Sequence, residues 1–147
     1  MRKTLDSLLA SKGRQVHHIG PEATVLEAVR AMNAQKIGAL LICDGGEVLG
    51  IFTERDVLTR VLENERDPAA TKISEVMSTE VVTVGPSTHV EEAMAVITER
   101  RCRHLPVLDD GKLVGLVSIG DLTRWVSRHQ QGHIQDLVNY ITRKYPV

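Results

Sequence analysis

Residues Gly50 to Asp56 read GIFTERD, and residues Gly115 to Asp121 read GLVSIGD. Each stretch follows an acidic-glycine turn and an apolar run, DGGEVL at 44–49 and DDGKLV at 109–114. Each ends in an aspartate three residues after a hydroxyl side chain: Thr53 then Asp56, Ser118 then Asp121. The same local pattern returns at an offset of 65 positions. A repeat of this kind has to be settled before any motif is read.

The repeat covers most of the chain. Residues 16–62 align on 81–127 without a gap, with 12 identities in 47 pairs. Among them are Gly20/Gly85, Pro21/Pro86, Glu27/Glu92, Leu40/Leu105 and Asp44/Asp109. Upstream, Leu5, Leu8 and Leu9 share the spacing of Ile73, Val76 and Met77.

Each copy predicts the order β-α-β-β-α. VHHI (16–19) and VVTV (81–84) read as short strands closed by Gly-Pro turns. Val25, Ala28, Val29 and Met32, and then Val90, Ala93, Met94 and Ile97, lie at helical spacing. Thr24 with Glu27, and Thr88 with Glu91, form candidate capping boxes. ALLIC and HLPVL read as strands, DGGE and DDGK as hairpin turns, VLGIFT and LVGLVS as return strands. Second helices are expected over 54–62 and 119–128.

The predicted class is therefore α+β: two tandem repeats packed sheet to sheet with pseudo-twofold symmetry. One copy of about fifty residues is marginal alone, and two can share a core. The divisions are an N-terminal helical segment at 1–15, a first repeat at 16–62, a polar linker at 63–72 containing Pro68, a second repeat at 73–128 and a C-terminal helix at 129–147. Ile134, Leu137, Val138 and Ile141 mark one face of that last helix.

The repeated Thr-x-x-Asp and Ser-x-x-Asp have two readings. As local structure, a hydroxyl at the N-cap with an acid at N3 caps a helix and suits its dipole. Aspartate is short for the reach back, and a glycine within the strand weakens the sheet unless something approaches closely. As a site, a strand running into a helix N-terminus offers N–H groups to an anion. The hydroxyl can then hold a phosphate, and the aspartate can accept hydrogen bonds from a sugar diol.

Composition excludes several classes. Net charge is -1 and aromatic residues are 3% of the chain, which gives nucleic acid neither a field nor a stacking surface. No apolar stretch reaches the ~20 residues that span a bilayer, and MRKTLDSLLASKG makes a poor signal peptide. Cys43 and Cys102 fall at predicted strand positions and read as buried thiols, so the expected compartment is the cytoplasm. His17 and His18 point to opposite faces of one strand and cannot share a metal. His129 and His133 have zinc-compatible spacing but no third ligand, so no metal is expected. Trp125 reads as a packing residue. Ser118 has no histidine relay, so no catalytic residue is assigned and no enzyme is expected.

The chain resembles a stand-alone pair of cystathionine-β-synthase-type (CBS) domains, a Bateman module. GIFTERD and GLVSIGD fit that family's G-h-x-[ST]-x-x-D motif twice, in register, and RHLPVLDDGKLVGLVSIGDL is typical of a second copy. The resemblance covers about residues 8–128. It implies clefts between the paired domains that bind adenosine ligands, with AMP expected and ATP, ADP, NAD and S-adenosylmethionine as alternatives. It also implies a homodimer shaped as a flat disc.

Carried over by position, Asp56 and Asp121 would hold ribose, and Thr53 and Ser118 would touch phosphate or ribose. The base would lie against His17 and His18 in copy one, or Val82 and Thr83 in copy two. The second strand would add Ile37, Gly38 and Ala39, or Cys102, His104, Leu105 and Pro106. Cations would come from Arg100, Arg101, Arg103 and His104 in copy two, and from Lys36 and Arg55 in copy one. The richer basic set makes the Asp121 site the expected tighter one. The resulting expectation is a regulatory protein that senses adenylates and signals through dimer shape to a separate effector protein. A structural or interaction module without nucleotide binding is the alternative.

Overall fold

The computed structural model describes residues 3–129. In chain order, α1 (Leu5–Lys12) precedes the first repeat, which comprises β1 (His18–Ile19), α2 (Val25–Gln35), β2 (Ala39–Asp44), β3 (Glu47–Thr53) and the short α3 (Glu54–Asp56). Helix α3 continues as a π-helical turn over Val57–Leu62. The second repeat holds α4 (Val90–Arg100), β4 (His104–Asp109), β5 (Lys112–Ser118) and α5 (Ile119–His129). The expected C-terminal helix lies outside the described residues beyond His129.

The two hairpins match in detail. β2 pairs antiparallel with β3, and β4 with β5, each with an irregularity at the equivalent place, Ile42/Cys43 and Val107/Leu108. Their turns need two consecutive positive φ angles, supplied by Gly45 (59°) and Gly46 (85°) and by Asp110 (51°) and Gly111 (80°). Helices α2 and α4 also end alike, on Lys36 and Arg101 in the left-handed region at φ 54° and 53°.

The first strands are shorter than predicted. β1 spans two residues, parallel to β2. In the second repeat, 81–84 forms only a single bridge, Val84 to Val107. Proline explains the difference. In the first repeat the Leu41 N–H donates to His17 O at 3.4 Å, extending the pairing upstream. The equivalent of Leu41 is Pro106, which has no N–H to give Val82. Only the Val84 N–H to Pro106 O (3.1 Å) and Leu108 N–H to Val84 O (2.9 Å) bonds remain.

Two further expectations are corrected. Thr24 and Glu27 form their capping box, but the cap of α4 is His89 with Glu92, one residue later than Thr88 with Glu91. The Glu92 carboxylate accepts the His89 N–H at 3.3 Å. The Thr88 carbonyl is engaged by the Leu5 N–H at 2.8 Å, and Thr88 itself closes a turn onto Gly85 O at 3.2 Å. Cys102 lies two residues ahead of β4 instead of within a strand. Both cysteines are free and half-buried, and burial raises both thiol pKa values.

The core forms as two clusters that exchange parts. Leu5, Leu8 and Leu9 of α1 are fully buried with Val90, Ala93, Leu105, Val107, Val117 and Leu122 of the second repeat. Ile73 and Val76, which open the second repeat, are buried with Val25, Ala28, Leu40, Ile42 and Phe52 of the first. The hydrogen bonds mirror this exchange. Leu5 N–H to Thr88 O (2.8 Å) corresponds to Ile73 N–H to Ala23 O (2.7 Å), and Val90 N–H to Lys3 O (2.8 Å) corresponds to Val25 N–H to Thr71 O (2.9 Å). Segment 63–72 is therefore bound at the start of α2, with Thr71 buried and Pro68 O accepting from Leu26 N–H at 3.0 Å.

The glycines of the repeated motif sit at these exchange points. A methyl carbon at Gly115 would lie 2.6 Å from both terminal carbons of Leu9, and one at Gly50 would lie 2.7 Å from Met77 Sδ and Ser78 O. The close approach that the sequence signals is made by the protein's own segment from the other half. β3 and β5 also meet, which brings the two hairpins together.

Candidate functional site

The hairpin contact leaves a cleft of about 370 Å³ that draws on both halves. Lys12 and Gln15 line it from the N-terminal segment, Val16 and His17 from the start of the first repeat, and Lys36, Ile37, Gly38 and Ala39 from the end of α2 and the start of β2. His104, Leu116, Ser118, Asp121 and Arg124 line it from the second repeat.

Asp121 is its electrostatic centre. The side chain caps α5: Oδ2 accepts the Ser118 N–H at 2.9 Å, and Ser118 Oγ accepts the Asp121 N–H at 3.1 Å. Aspartate does make the reach back, contrary to the expectation that it is too short. Two cations complete its surroundings. Lys12 Nζ donates to Oδ2 at 2.5 Å and to Leu116 O at 2.6 Å, and Arg124 Nη2 donates to Oδ1 at 2.7 Å. Burial pushes the Asp121 carboxyl upward, but the Lys12 and Ser118 hydrogen bonds and the Lys12 charge outweigh it and hold the group below its ordinary range. Burial is the largest influence on His104 and lowers its pKa. Asp121 opposes that shift, while Lys12 and Arg103 reinforce it, so the ring is neutral at pH 7.

The equivalent aspartate is held differently. Asp56 Oδ2 accepts the Thr53 N–H at 2.9 Å, and Thr53 Oγ1 accepts the Asp56 N–H at 3.3 Å. Its cation is Arg60, with Nε 3.5 Å from Oδ1, and Arg60 also donates to Met77 O at 3.1 Å.

The sequence-expected residues are redistributed by the fold. Ile37, Gly38 and Ala39, assigned to the first copy's site, face Ser118 and Asp121 across one cleft. Apart from Ala39 and His104, which are equivalent, the walls come from non-equivalent positions of the two copies. His17 lines the cleft, whereas His18 is exposed. Leu105 and Pro106 are buried, Leu105 within the second core cluster. Val82 packs against that cluster and Thr83 is exposed. Arg55, Arg101 and Arg103 are exposed and are not among the lining residues. The cations that do line it are Lys12, Lys36 and Arg124. Lys12 and Arg124 escaped the sequence reading. The available signal was the match of Leu5, Leu8 and Leu9 to Ile73, Val76 and Met77, which places α1 against the other repeat and Lys12 at its end.

Among the described residues, no group of three or more His, Cys, Asp or Glu could hold a metal ion, and no helix is long and apolar enough to cross a membrane. His133 lies outside them.

Comparison with known proteins agrees with the duplicated fold. The CBS domain family model matches residues 12–63 and 73–128. The chain is 35% identical over 151 residues to the CBS domain-containing protein CBSX3, mitochondrial, of Arabidopsis thaliana, covering 97% of this chain and 73% of that protein. It is 37% identical over 108 residues to the CBS domain-containing protein YhcV of Bacillus subtilis, covering 74% and 76%. A solved structure from Burkholderia ambifaria, a proposed signal-transduction protein with CBS domains, superposes with a TM-score of 0.83 at 43% identity, covering 87% of this chain and 96% of that one. With two matched copies, mirrored hairpins and exchanged core segments, the chain belongs to the CBS-domain family as a tandem pair.

Proposed function

We propose that this CBS pair binds an adenine nucleotide in the Asp121 cleft and reports its occupancy to a separate protein. The observation that carries this reading is the cleft's composition. One carboxylate suited to a sugar diol sits among Lys12, Lys36 and Arg124, and the walls come from both repeats. A ligand there touches both halves and so acts on their relative angle. Its leverage equals its differential affinity for the two arrangements. The Asp56 side is the weaker site, with one more distant cation. The module acts as a cytoplasmic homodimer, and the output is a change in dimer shape or surface.

Leu58 and Leu62, exposed at 61% and 56% on the turn after α3, favour a second reading in which the pair is an interaction module. Both aspartates would then serve only as helix caps.

Titration calorimetry with AMP, ATP and NAD separates the two, run beside Asp121→Asn and Asp56→Asn with folding checked by circular dichroism. Binding lost in Asp121→Asn alone supports the proposal. Loss only in Asp56→Asn moves the site to the other half. Absence of binding by folded wild-type protein refutes the nucleotide reading.

A further inference from the structure

The Asp121 carboxylate carries three donors, and two of them are cations: Lys12 on Oδ2 and Arg124 on Oδ1. A ribose diol approaching this group brings only neutral donors. It has to share or take oxygens held by an ammonium and a guanidinium. Whatever it displaces is a positive charge in a cleft that already contains Lys36 and holds no second carboxylate among its lining residues, Glu54 lying exposed beside Gly38 outside that lining. A partly desolvated cation without a counter-charge is costly. The ligand that completes the exchange therefore brings an anion with its diol.

Lys12 is built for such an exchange. It is the last residue of α1, and that helix is anchored by Leu5, Leu8 and Leu9, all fully buried. The lysine side chain is a flexible stem whose head is a point charge with three donors. One of them is already committed to Leu116 O. The head can turn to a new acceptor while the helix stays docked.

We propose that Lys12 is an exchangeable counter-ion, which gives Asp121 up to the ligand's ribose hydroxyls and takes the ligand's phosphate instead. The cleft then selects by charge. Adenosine phosphates are accepted, uncharged adenosine is disfavoured, and S-adenosylmethionine is disfavoured further because its sulfonium and ammonium outweigh its one carboxylate and leave it net positive. This rests on the nucleotide reading above and narrows it.

The test is calorimetry with AMP, adenosine and S-adenosylmethionine on wild type, Lys12→Met and Lys12→Arg. AMP is expected to bind wild type about tenfold or more tighter than adenosine, since a charge-assisted bond to phosphate is at stake. Lys12→Met brings AMP down to the level of adenosine and leaves adenosine unchanged or tighter, because Asp121 is freed. Lys12→Arg keeps most of the preference. The Lys12 side chain is 34% exposed, so these variants leave the core intact. Equal affinity of wild type for AMP and adenosine, or AMP binding indifferent to Lys12→Met, overturns the exchange while the nucleotide reading stands. Binding by none of the three compounds overturns the exchange, and if ATP and NAD also fail to bind, the nucleotide reading falls with it.

Discussion

Replacing Gly115 with alanine probes the exchanged segments at their tightest point. The new methyl carbon would lie 2.6 Å from Leu9 Cδ1 and Cδ2 and 3.1 Å from Cγ. Non-bonded carbons settle at about 3.5–4.0 Å, so Leu9 or β5 must shift by roughly 1 Å. Leu9 is fully buried within the second core cluster, which leaves no open direction for it. Overpacking of this kind costs about 1–3 kcal/mol. Leu9→Ala alone removes buried carbons and costs about 2–5 kcal/mol. Combined, each change relieves the other, because the methyl enters space that the leucine vacates. The double variant is therefore expected to fall short of the summed losses by at least ~1 kcal/mol, well outside the ~0.5 kcal/mol within which independent sites add. Urea unfolding followed by circular dichroism measures all three variants. Gly20→Ala is the control, with nothing within 4 Å of its new carbon. Additive losses would refute the account of Gly115 as a seat for α1.

Two further outcomes follow from the site. Lys36→Gly relieves a left-handed residue at the end of α2, and is expected to raise stability by about 0.5–1 kcal/mol in the same unfolding assay, while weakening anionic ligands that meet the Lys36 charge. On acidification, Asp121 has a folded pKa below its ordinary value of 3.8. Its contribution is present above that value and is lost as pH falls through the depressed folded one, so Asp121→Asn should flatten the acid limb of stability against pH measured by thermal melts. An unchanged limb would remove the ion pairs with Lys12 and Arg124 from the account of stability.

The parts of the fold legible in the sequence are those set by local chemistry. Apolar spacing marks α2 and α4, Gly45, Gly46 and Gly111 mark the turns, and Thr53 and Ser118 with their aspartates mark the helix starts. What is hidden depends on partners remote in sequence. The loss of a strand at 81–84 follows from Pro106 on a neighbouring strand, and the later cap at His89 follows from the crossing of Lys3 and Leu5. The cleft is hidden for a similar reason. Alignment of the repeats gives each copy its own site, Gly38 and Ala39 in one and Arg103 and His104 in the other, whereas the fold sets Gly38 and Ala39 opposite Ser118 and Asp121 with His104 on the same cleft. Asp121 itself was legible, but the cations beside it were not.

The exchange of core segments also sets an order of events on the ribosome. Ile73 and Val76 follow the first repeat after the short segment 63–72 and can close its core as soon as they emerge. The leucines of α1 emerge before either repeat and are satisfied last, since Lys12 and Asp121 are 109 positions apart. At about 5–20 residues per second, they spend roughly 5–20 seconds exposed. During that interval the nascent chain holds a finished first half and an unplugged α1. On a crowded message, that helix can enter the second repeat of a neighbouring chain instead of its own.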